Sequence, residues 1–383
     1  MSQRVDLSAS SCRNLPPILT PERGKRLTFA DTAARVMGGD SITRQGATSL
    51  IDYCNLPEIG MLACHVSRRV HPERVVTFAN GGALPFAGRD QLSETNPDVP
   101  IPNSMRPLGK DELMRSAALL GESGSGEITL YSYGSRRPSL GEWLDLLEAI
   151  TTRFAAVAPS ISTVDIASLC RDGQDLGCLG ELKAAGLKGV RGEQVGLRPP
   201  VSPEVWLAVH RAVHESGTWS TAACLPGASK TNPVEWLFRI RELQQDTGLF
   251  KAFASGAIGV RGLGDPSQPA RPIGTATASA FLFLRSLAAA RCVLDNIPYF
   301  QSSWESQGAK IGEIALQFGA NDFGATGLVA RGAETIRLTP ILSTDEIERL
   351  IRDSGHTPWQ RSGDFQRLQP DMMSGYRPLA LMS

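Results

Sequence analysis

The sequence has no surplus of positive charge. Lys plus Arg and Asp plus Glu both number 39. A nucleic-acid binder ordinarily carries a basic excess to neutralise phosphates, so that class is set aside. The short basic cluster around Arg68 and Arg69 reads as favourable charge at a helix C-terminus. There is also no uncharged apolar run of about 18 residues, the length that marks a membrane span. The most apolar stretch, SAFLFLRSLAAARCVLDNI, is broken by Arg285, Arg291 and Asp295 and reads as a buried helix. No compact charged and apolar signal-peptide pattern opens the chain. CxxC, HExxH, GxGxxG and GxxxxGK[ST] are all missing, which leaves structural zinc, zincin chemistry, a dinucleotide fingerprint and a phosphate loop without support. The seven cysteines, at 12, 54, 64, 170, 178, 224 and 292, are odd in number and widely spaced. They point to reduced thiols in a cytoplasm, not a secreted disulfide framework.

What is present is a chain of 383 residues, 42% hydrophobic and 20% charged, long enough to bury a large core. Residues 29–70 carry helical patterns, among them FADTAARVM and IGMLACHVSRRVH. VVTFA at 75–79 is a compact strand. Residues 80–109, rich in Gly, Pro and Asn, read as a long loop, and such loops are usually functional. From residue 110 helices and strands alternate: KDELMRSAALLGES, EITLYSYG, SLGEWLDLLEAITTRF, a strand near 161–166, DLGCLGELKAAG, GLKGVRG, SPEVWLAVHRAVHESG with Ser202 as N-cap, TWSTAACLPG, NPVEWLFRIRELQQDTG and LFKAFASG. After the long buried helix, IPYFQSSW and IALQF are read as two strand-like runs flanking a helical middle. STDEIERLIRDSG closes the pattern as a helix capped by Ser343. This alternation predicts an α/β fold of the (β/α)8 TIM-barrel type with an N-terminal helical extension and a C-terminal helical segment. The expected divisions are 1–70 for the arm and helices, 71–340 for the barrel, and 341–383 for the last helix and tail.

In such a barrel the side chains just past the strand C-termini face the pocket. That rule selects Tyr131, Tyr133, Arg136, Glu193, Gln194, Gln301, Ser303, Trp304, Gln307, Asn321 and Asp322. Glu193 and Asp322 are the expected catalytic acid–base pair, and Tyr131, Tyr133, Arg136, Gln301, Ser303, Trp304, Gln307 and Asn321 the expected ligand contacts. The competing reading of Glu193 is a solvated loop glutamate. That of Asn321–Asp322, between Gly319 and Gly324, is an Asx turn, and that of the tyrosines is core packing. His210 and His214 have ligand-like spacing but sit on an outer helix without the HExxH glutamate, so no metal is expected there. Cys170 and Cys178 lack a third or fourth ligand nearby, and Cys224 reads as a small buried thiol.

The stretch LAAARCVLDNIPYFQSSWESQGAKIGEIALQFGANDFGATG at 287–327, with HPERVVTFANGG, IRELQQDTGLFKAF and LIRDSGHTPWQR, resembles the radical S-adenosylmethionine enzymes of menaquinone and deazaflavin biosynthesis, notably dehypoxanthine futalosine cyclase and aminofutalosine synthase. The resemblance spans roughly residues 50–370. It implies a barrel around a [4Fe–4S] cluster held by a CxxxCxxC triplet after the first strand. Here that place reads NGGALPFAGRDQLSETNPDVP, with no cysteine. Three close thiolates are what such a cluster requires, so no [4Fe–4S] cluster of the family's kind is expected. The resemblance leaves S-adenosylmethionine, or a nucleoside, as a ligand inherited with the pocket. YSYGSRR stands where the family has the glycine-rich segment near the methionine part of that cofactor, VRGEQV retains a glutamate in Glu193, and the GAND of Gly319–Asp322 is intact.

The expected function is therefore a cluster-free, non-radical enzyme performing polar lyase, cyclase or transferase chemistry on a small molecule. One alternative is a catalytically silent partner of an active enzyme. Another is a cluster held by distant cysteines such as Cys170, Cys178 and Cys224. The expected partners are a small-molecule substrate and either a second copy of the chain or a pathway enzyme, with no nucleic acid and no membrane.

Overall fold

A computed structural model describes residues 27–53, 55–87, 108–122, 126–132, 137–170, 177–192, 201–224, 232–254, 280–331 and 337–368. Twelve strands are present among them: β1 Val75–Ala79, β2 Gly81–Phe86, β3 Gly126–Ser132, β4 Val157–Ser162, β5 Gly189–Arg191, β6 Trp219–Ala223, β7 Phe250–Ala254, β8 Tyr299–Gln301, β9 Asp322–Ala325, β10 Leu328–Arg331, β11 Arg337–Pro340 and β12 Thr357–Arg361. Ten form one sheet in the order β12-β1-β9-β8-β7-β6-β5-β4-β3-β2, and β10 and β11 form a separate pair. Every ladder of the large sheet is parallel, as strands joined by helical crossovers must be.

The sheet is curled but its row of ladders is open, which corrects the expected closed (β/α)8 barrel. Among the described residues β2 has β3 as its one ladder partner, with a single further bridge from Phe86 to Leu108, while β12 lies along β1 from Val75↔Thr357 to Ala79↔Arg361. This last strand, read from sequence as part of a helical tail, occupies the side of β1 where a closing strand would pair. The curl is drawn in where β1 runs on into β2. Glu127 N donates to the Asn80 carbonyl at 2.9 Å, and Thr326 N to the Ala79 carbonyl at 3.1 Å. Gly81 permits this approach, because a Cβ there would lie 2.0 Å from the Glu127 carbonyl oxygen. Three local expectations are also corrected. The strand and loop read near 161–166 are the end of β4 at Ser162 and the helix Thr163–Leu169. Residues 81–86 are strand, not loop. IALQF is the end of a helix, Ala309–Ala315, with a 3-10 turn at Leu316–Phe318, and the strand follows it as Asp322–Ala325. Gly312, Ala315 and Leu316 recur at helical spacing and are the buried face, so the run has a helix period, not a strand's.

Alternation along each strand divides the molecule into two environments. Val76, Phe78, Ile128, Leu130, Ile161, Val190, Phe253, Phe300 and Phe323 point to the helices. One apolar cluster unites β1, β7, β8 and β9 with the N-terminal helices Phe29–Gly38, Arg44–Ile51 and Leu56–Val70 and with Pro233–Thr247 and Ala280–Val293. The other packs β2 to β5 against Lys110–Glu122, Leu140–Arg153, Thr163–Leu169, Cys178–Ala184 and Pro203–Glu215. Two helices start at the caps expected from sequence, Ser202 and Ser343. Ser139 and Ser343 form capping boxes with Glu142 and Glu346, and Ser202 caps Pro203–Glu215. No helix among the described residues is long and apolar enough to cross a membrane.

The concave side has a different floor. After β12 the chain turns back through Ser362–Gln366, with Ser362 N donating to the Gln366 carbonyl at 2.9 Å. This seats Phe365, 4% exposed, at the strand starts, 5.6 Å from the Trp219 ring and 5.5 Å from the Tyr299 ring. Phe365 has φ 66°, a left-handed value costly for an aromatic residue, so its packing must outweigh local strain. Phe365→Ala should lower stability by about 3–5 kcal/mol, checked by chemical denaturation. A loss under 1 kcal/mol would show that the aromatic floor is not holding the curl.

Candidate functional site

The concave face carries charge at its centre. Glu127 on β3, Arg191 on β5, Asp322 on β9 and Arg361 on β12 are all nearly or fully buried. Each points inward because its strand's odd or even set does so. Glu127, Thr129 and Tyr131 alternate with the core residues Ile128 and Leu130. Arg361 Nε donates to Asp322 Oδ2 at 2.5 Å and Nη2 to Oδ1 at 3.1 Å, the paired geometry in which a guanidinium binds a carboxylate best. Its Nη1 donates to Glu127 Oε2 at 2.7 Å, and Arg191 pairs with the other oxygen, Glu127 Oε1. The order Arg191–Glu127–Arg361–Asp322 thus alternates in sign across four strands.

Asp322 takes three further hydrogen bonds, from Thr77 Oγ1 at 2.6 Å, Gln301 Nε2 at 3.1 Å and the Gly324 N–H at 3.1 Å. The last is the Asx-type bond that the flanking glycines suggested. For Glu127, burial favours the neutral acid. Arg191 and then Arg361 outweigh it and hold the carboxyl below its ordinary value. For Arg361, burial opposes the charge, yet Asp322 and Glu127 leave its pKa raised. The two guanidiniums stack on this floor, with the Arg361 guanidinium carbon 4.0 Å and that of Arg191 5.3 Å from the centre of the Phe365 ring.

A fifth charged residue lies beside this cluster. Glu305 follows β8 in the short helix Trp304–Gln307. Burial is the main cause that raises its pKa, to about 7, with the negative charges of Glu127 and Asp322 adding to it and N–H groups of the Glu305 and Ala325 backbone opposing it. Gly324, at φ +98°, leaves room for it, since a Cβ there would meet Glu305 Oε1 at 3.1 Å. Trp304 clasps the same strand end, donating from Nε1 to the Ala325 carbonyl at 3.1 Å.

Of the residues selected from sequence, the structure brings together Asp322 and Gln301. Tyr131 is buried on the inward set of β3. Trp304 is buried and holds the end of β9. Ser303 sits at the junction between β8 and the following helix, in a left-handed conformation at φ 52°. Gln307 reaches the neighbouring Ser306 hydroxyl at 3.5 Å. The Asn321 side chain accepts from Phe300 N at 2.7 Å and donates to the Pro298 carbonyl at 3.0 Å, tying β8 to β9. Tyr133, Arg136, Glu193 and Gln194 lie outside the described residues. Glu127, Arg191, Arg361, Thr77 and Glu305 were not selected. The rule chose residues past strand ends, whereas the first four lie within strands. Glu305 stood in view between Trp304 and Ser306.

Among the described residues the thiols are not gathered as an iron–sulfur cluster requires. Residues 80–109 contain no cysteine. Cys64 and Cys292 lie on different helices, Cys224 follows β6, and Cys170 and Cys178 pack in the helical layer. Among the described residues no group of three or more His, Cys, Asp or Glu is placed to hold a metal ion. His210 and His214 are instead bonded to one hydroxyl, Ser220 Oγ, at 2.8 Å each.

Residues 271–372 match the family described as the CofH/MqnC C-terminal region. The chain is 25% identical over 359 residues to the cyclic dehypoxanthine futalosine synthase of Halalkalibacterium halodurans, covering 87% of this chain and 93% of that one. It is 30% identical over 178 residues to the aminodeoxyfutalosine synthase of Thermus thermophilus, covering 45% and 46%. The crystal structure of HydG, a maturase of the [FeFe]-hydrogenase, superposes with a TM-score of 0.59 at 14% identity, covering 86% of this chain and 75% of that one. The chain is thus homologous to futalosine-pathway enzymes and shares the curled parallel-sheet fold of HydG.

Arg361 is the centre of the ionic row, so its removal is the direct test. Arg361→Met leaves Asp322 without a guanidinium partner among the described residues and Glu127 with one of two. The expected cost is about 3–5 kcal/mol. Glu127's folded pKa lies below its ordinary 4.5, so the stability it contributes is present above that value and lost as the pH falls through the folded value. The deficit of the variant should therefore be largest at neutral pH and shrink in acid. A deficit independent of pH, measured by denaturation across that range, would contradict the charge pairing.

Proposed function

We propose that the protein is a cluster-free enzyme of polar chemistry, a lyase, cyclase or transferase acting on a small nucleoside-like or S-adenosylmethionine-related ligand. The reading rests above all on the position of Glu305. Its carboxyl stands against Gly324, beside a fixed row of buried charges, and burial there raises its pKa to about 7. A group titrating near the working pH is the most effective proton carrier. Preorganised charges in a water-poor site stabilise charge that develops during reaction.

Glu305 is proposed as the proton-transferring group. Asp322, with five donors around it, is proposed to fix Arg361 and Gln301 in place beside the ligand, and Glu193, two residues beyond Arg191, to supply a second acid–base carboxylate. Tyr131, Tyr133 and Trp304 are proposed as ring contacts, and Arg136, Ser303, Gln307 and Asn321 as polar contacts or supports of the ligand-facing loops. The ligand class is supported by homology to the two futalosine-related synthases. No step is assigned to an iron–sulfur centre, because residues 80–109 offer no thiolate to hold one. A second copy of the chain or a pathway enzyme is proposed as partner, and the cytoplasm as compartment.

Purine nucleosides and S-adenosylmethionine should be tested for binding by calorimetry and for conversion by mass spectrometry. For whichever ligand is converted, Glu305→Gln should lower kcat by about 10²-fold or more while changing affinity little. It should also remove a limb of the pH–rate profile near 7. An unchanged profile in the variant would take the proton-transfer role from Glu305, and no binding of any member of this ligand class would overturn the reading as a whole.

A further inference from the structure

Away from the concave face, two sulfur atoms lie closer than ordinary non-bonded contact allows. Cys170 ends the helix Thr163–Leu169 as its C-cap, and Cys178 opens the helix Cys178–Ala184. Their Sγ atoms are 2.8 Å apart. A disulfide bond is about 2.05 Å long, so the two sulfurs lie within ~1 Å of bonding distance and are not bonded. Both residues belong to the apolar cluster on the β2–β5 side, Cys170 at 0% exposure and Cys178 at 7%. The remaining described cysteines belong elsewhere. Cys292 lies in the other cluster, Cys224 packs against it, and Cys64 lies on the helix Leu56–Val70 near the Leu316 carbonyl.

We propose that Cys170 and Cys178 are a reversible dithiol–disulfide site whose oxidant is a low-molecular-weight disulfide such as oxidised glutathione. Cys178, the more accessible thiol, loses its proton to solvent, and its thiolate attacks one sulfur of the oxidant. The oxidant's S–S bond breaks and one reduced thiol leaves. Cys170 then loses its proton and attacks Cys178 Sγ, expelling the second reduced thiol. The protein gives up two electrons and two protons, and one disulfide becomes two thiols. The partner sulfur is already in place, so the second step is intramolecular and the mixed disulfide is short-lived.

The bond would also reach the rim of the concave face. The helix that ends at Cys170 carries Asp165, which accepts from Ser132 N at 2.8 Å and Ser162 Oγ at 2.6 Å, at the ends of β3 and β4. Oxidation would tether the far end of this helix to the next one. The site is independent of the proposed activity and does not need it to be correct.

The test uses the full chain equilibrated in buffers of varied reduced and oxidised glutathione, quenched in acid, alkylated, cut with trypsin and analysed by mass spectrometry. Trypsin cleaves after Arg171, between the two cysteines, so the disulfide appears as a linked peptide pair. It should rise from under a tenth to over nine-tenths of the protein across about a hundredfold change in the ratio of squared thiol to disulfide concentration, with Cys64, Cys224 and Cys292 still alkylated. Three results would overturn the proposal: both thiols alkylated at the oxidising end, a glutathione adduct as the end product, or pairing of either residue with another cysteine.

Discussion

The structure depends on a buried row of alternating charge. Four ionised groups on four strands are expensive to remove from water, and a pair of opposite charges recovers that cost only with near-ideal geometry and with its remaining donors and acceptors satisfied. Arg361 meets this condition. Three of its nitrogens donate to Asp322 and Glu127, and Thr77, Gln301 and Gly324 complete the shell of Asp322. Such a row constrains register, because a one-residue slip of β3, β9 or β12 would turn its charge toward the apolar helices.

That constraint explains why the C-terminal segment matters to the concave face. β12 brings Arg361 to the row, and the turn beyond it brings Phe365 beneath both guanidiniums. The polar lining and the aromatic floor therefore arrive on one short stretch of chain. On the other side, the helix after β8 sets Trp304 and Glu305 over the end of β9. The result is a buried row of fixed charge with one titrating carboxyl beside it, which is the physical basis of the proposed polar chemistry.

Much of the architecture was legible in the sequence, and the failures share a cause. Strand–helix alternation, the caps at Ser202 and Ser343 and the buried helix at Ala280–Val293 are local signals, and the structure has them. β12 was not legible. TPWQR is short, contains proline and follows a helix, so only its pairing with β1 makes it a strand. Because that pairing is non-local, the open edge of the curl and the place of Arg361 were hidden with it. Glu127 was hidden by a rule that looks only past strand ends, although Glu127, Thr129 and Tyr131 form a visible alternating set. Glu305 was visible as a residue but not as a near-neutral acid. Its pKa comes from burial beside Glu127 and Asp322, which are 178 and 17 residues away in sequence.

The central claim is that the fixed charges and burial on the concave face hold one carboxyl group near neutrality. Carbon-13 NMR of the glutamate carboxyls, followed from pH 4 to pH 9 in the full chain and in Glu305→Gln, tests it most directly. The account predicts one resonance with a midpoint of about 7 that is missing from the variant. Titration of every observed glutamate below about pH 5, the ordinary range for an exposed carboxyl, would contradict it.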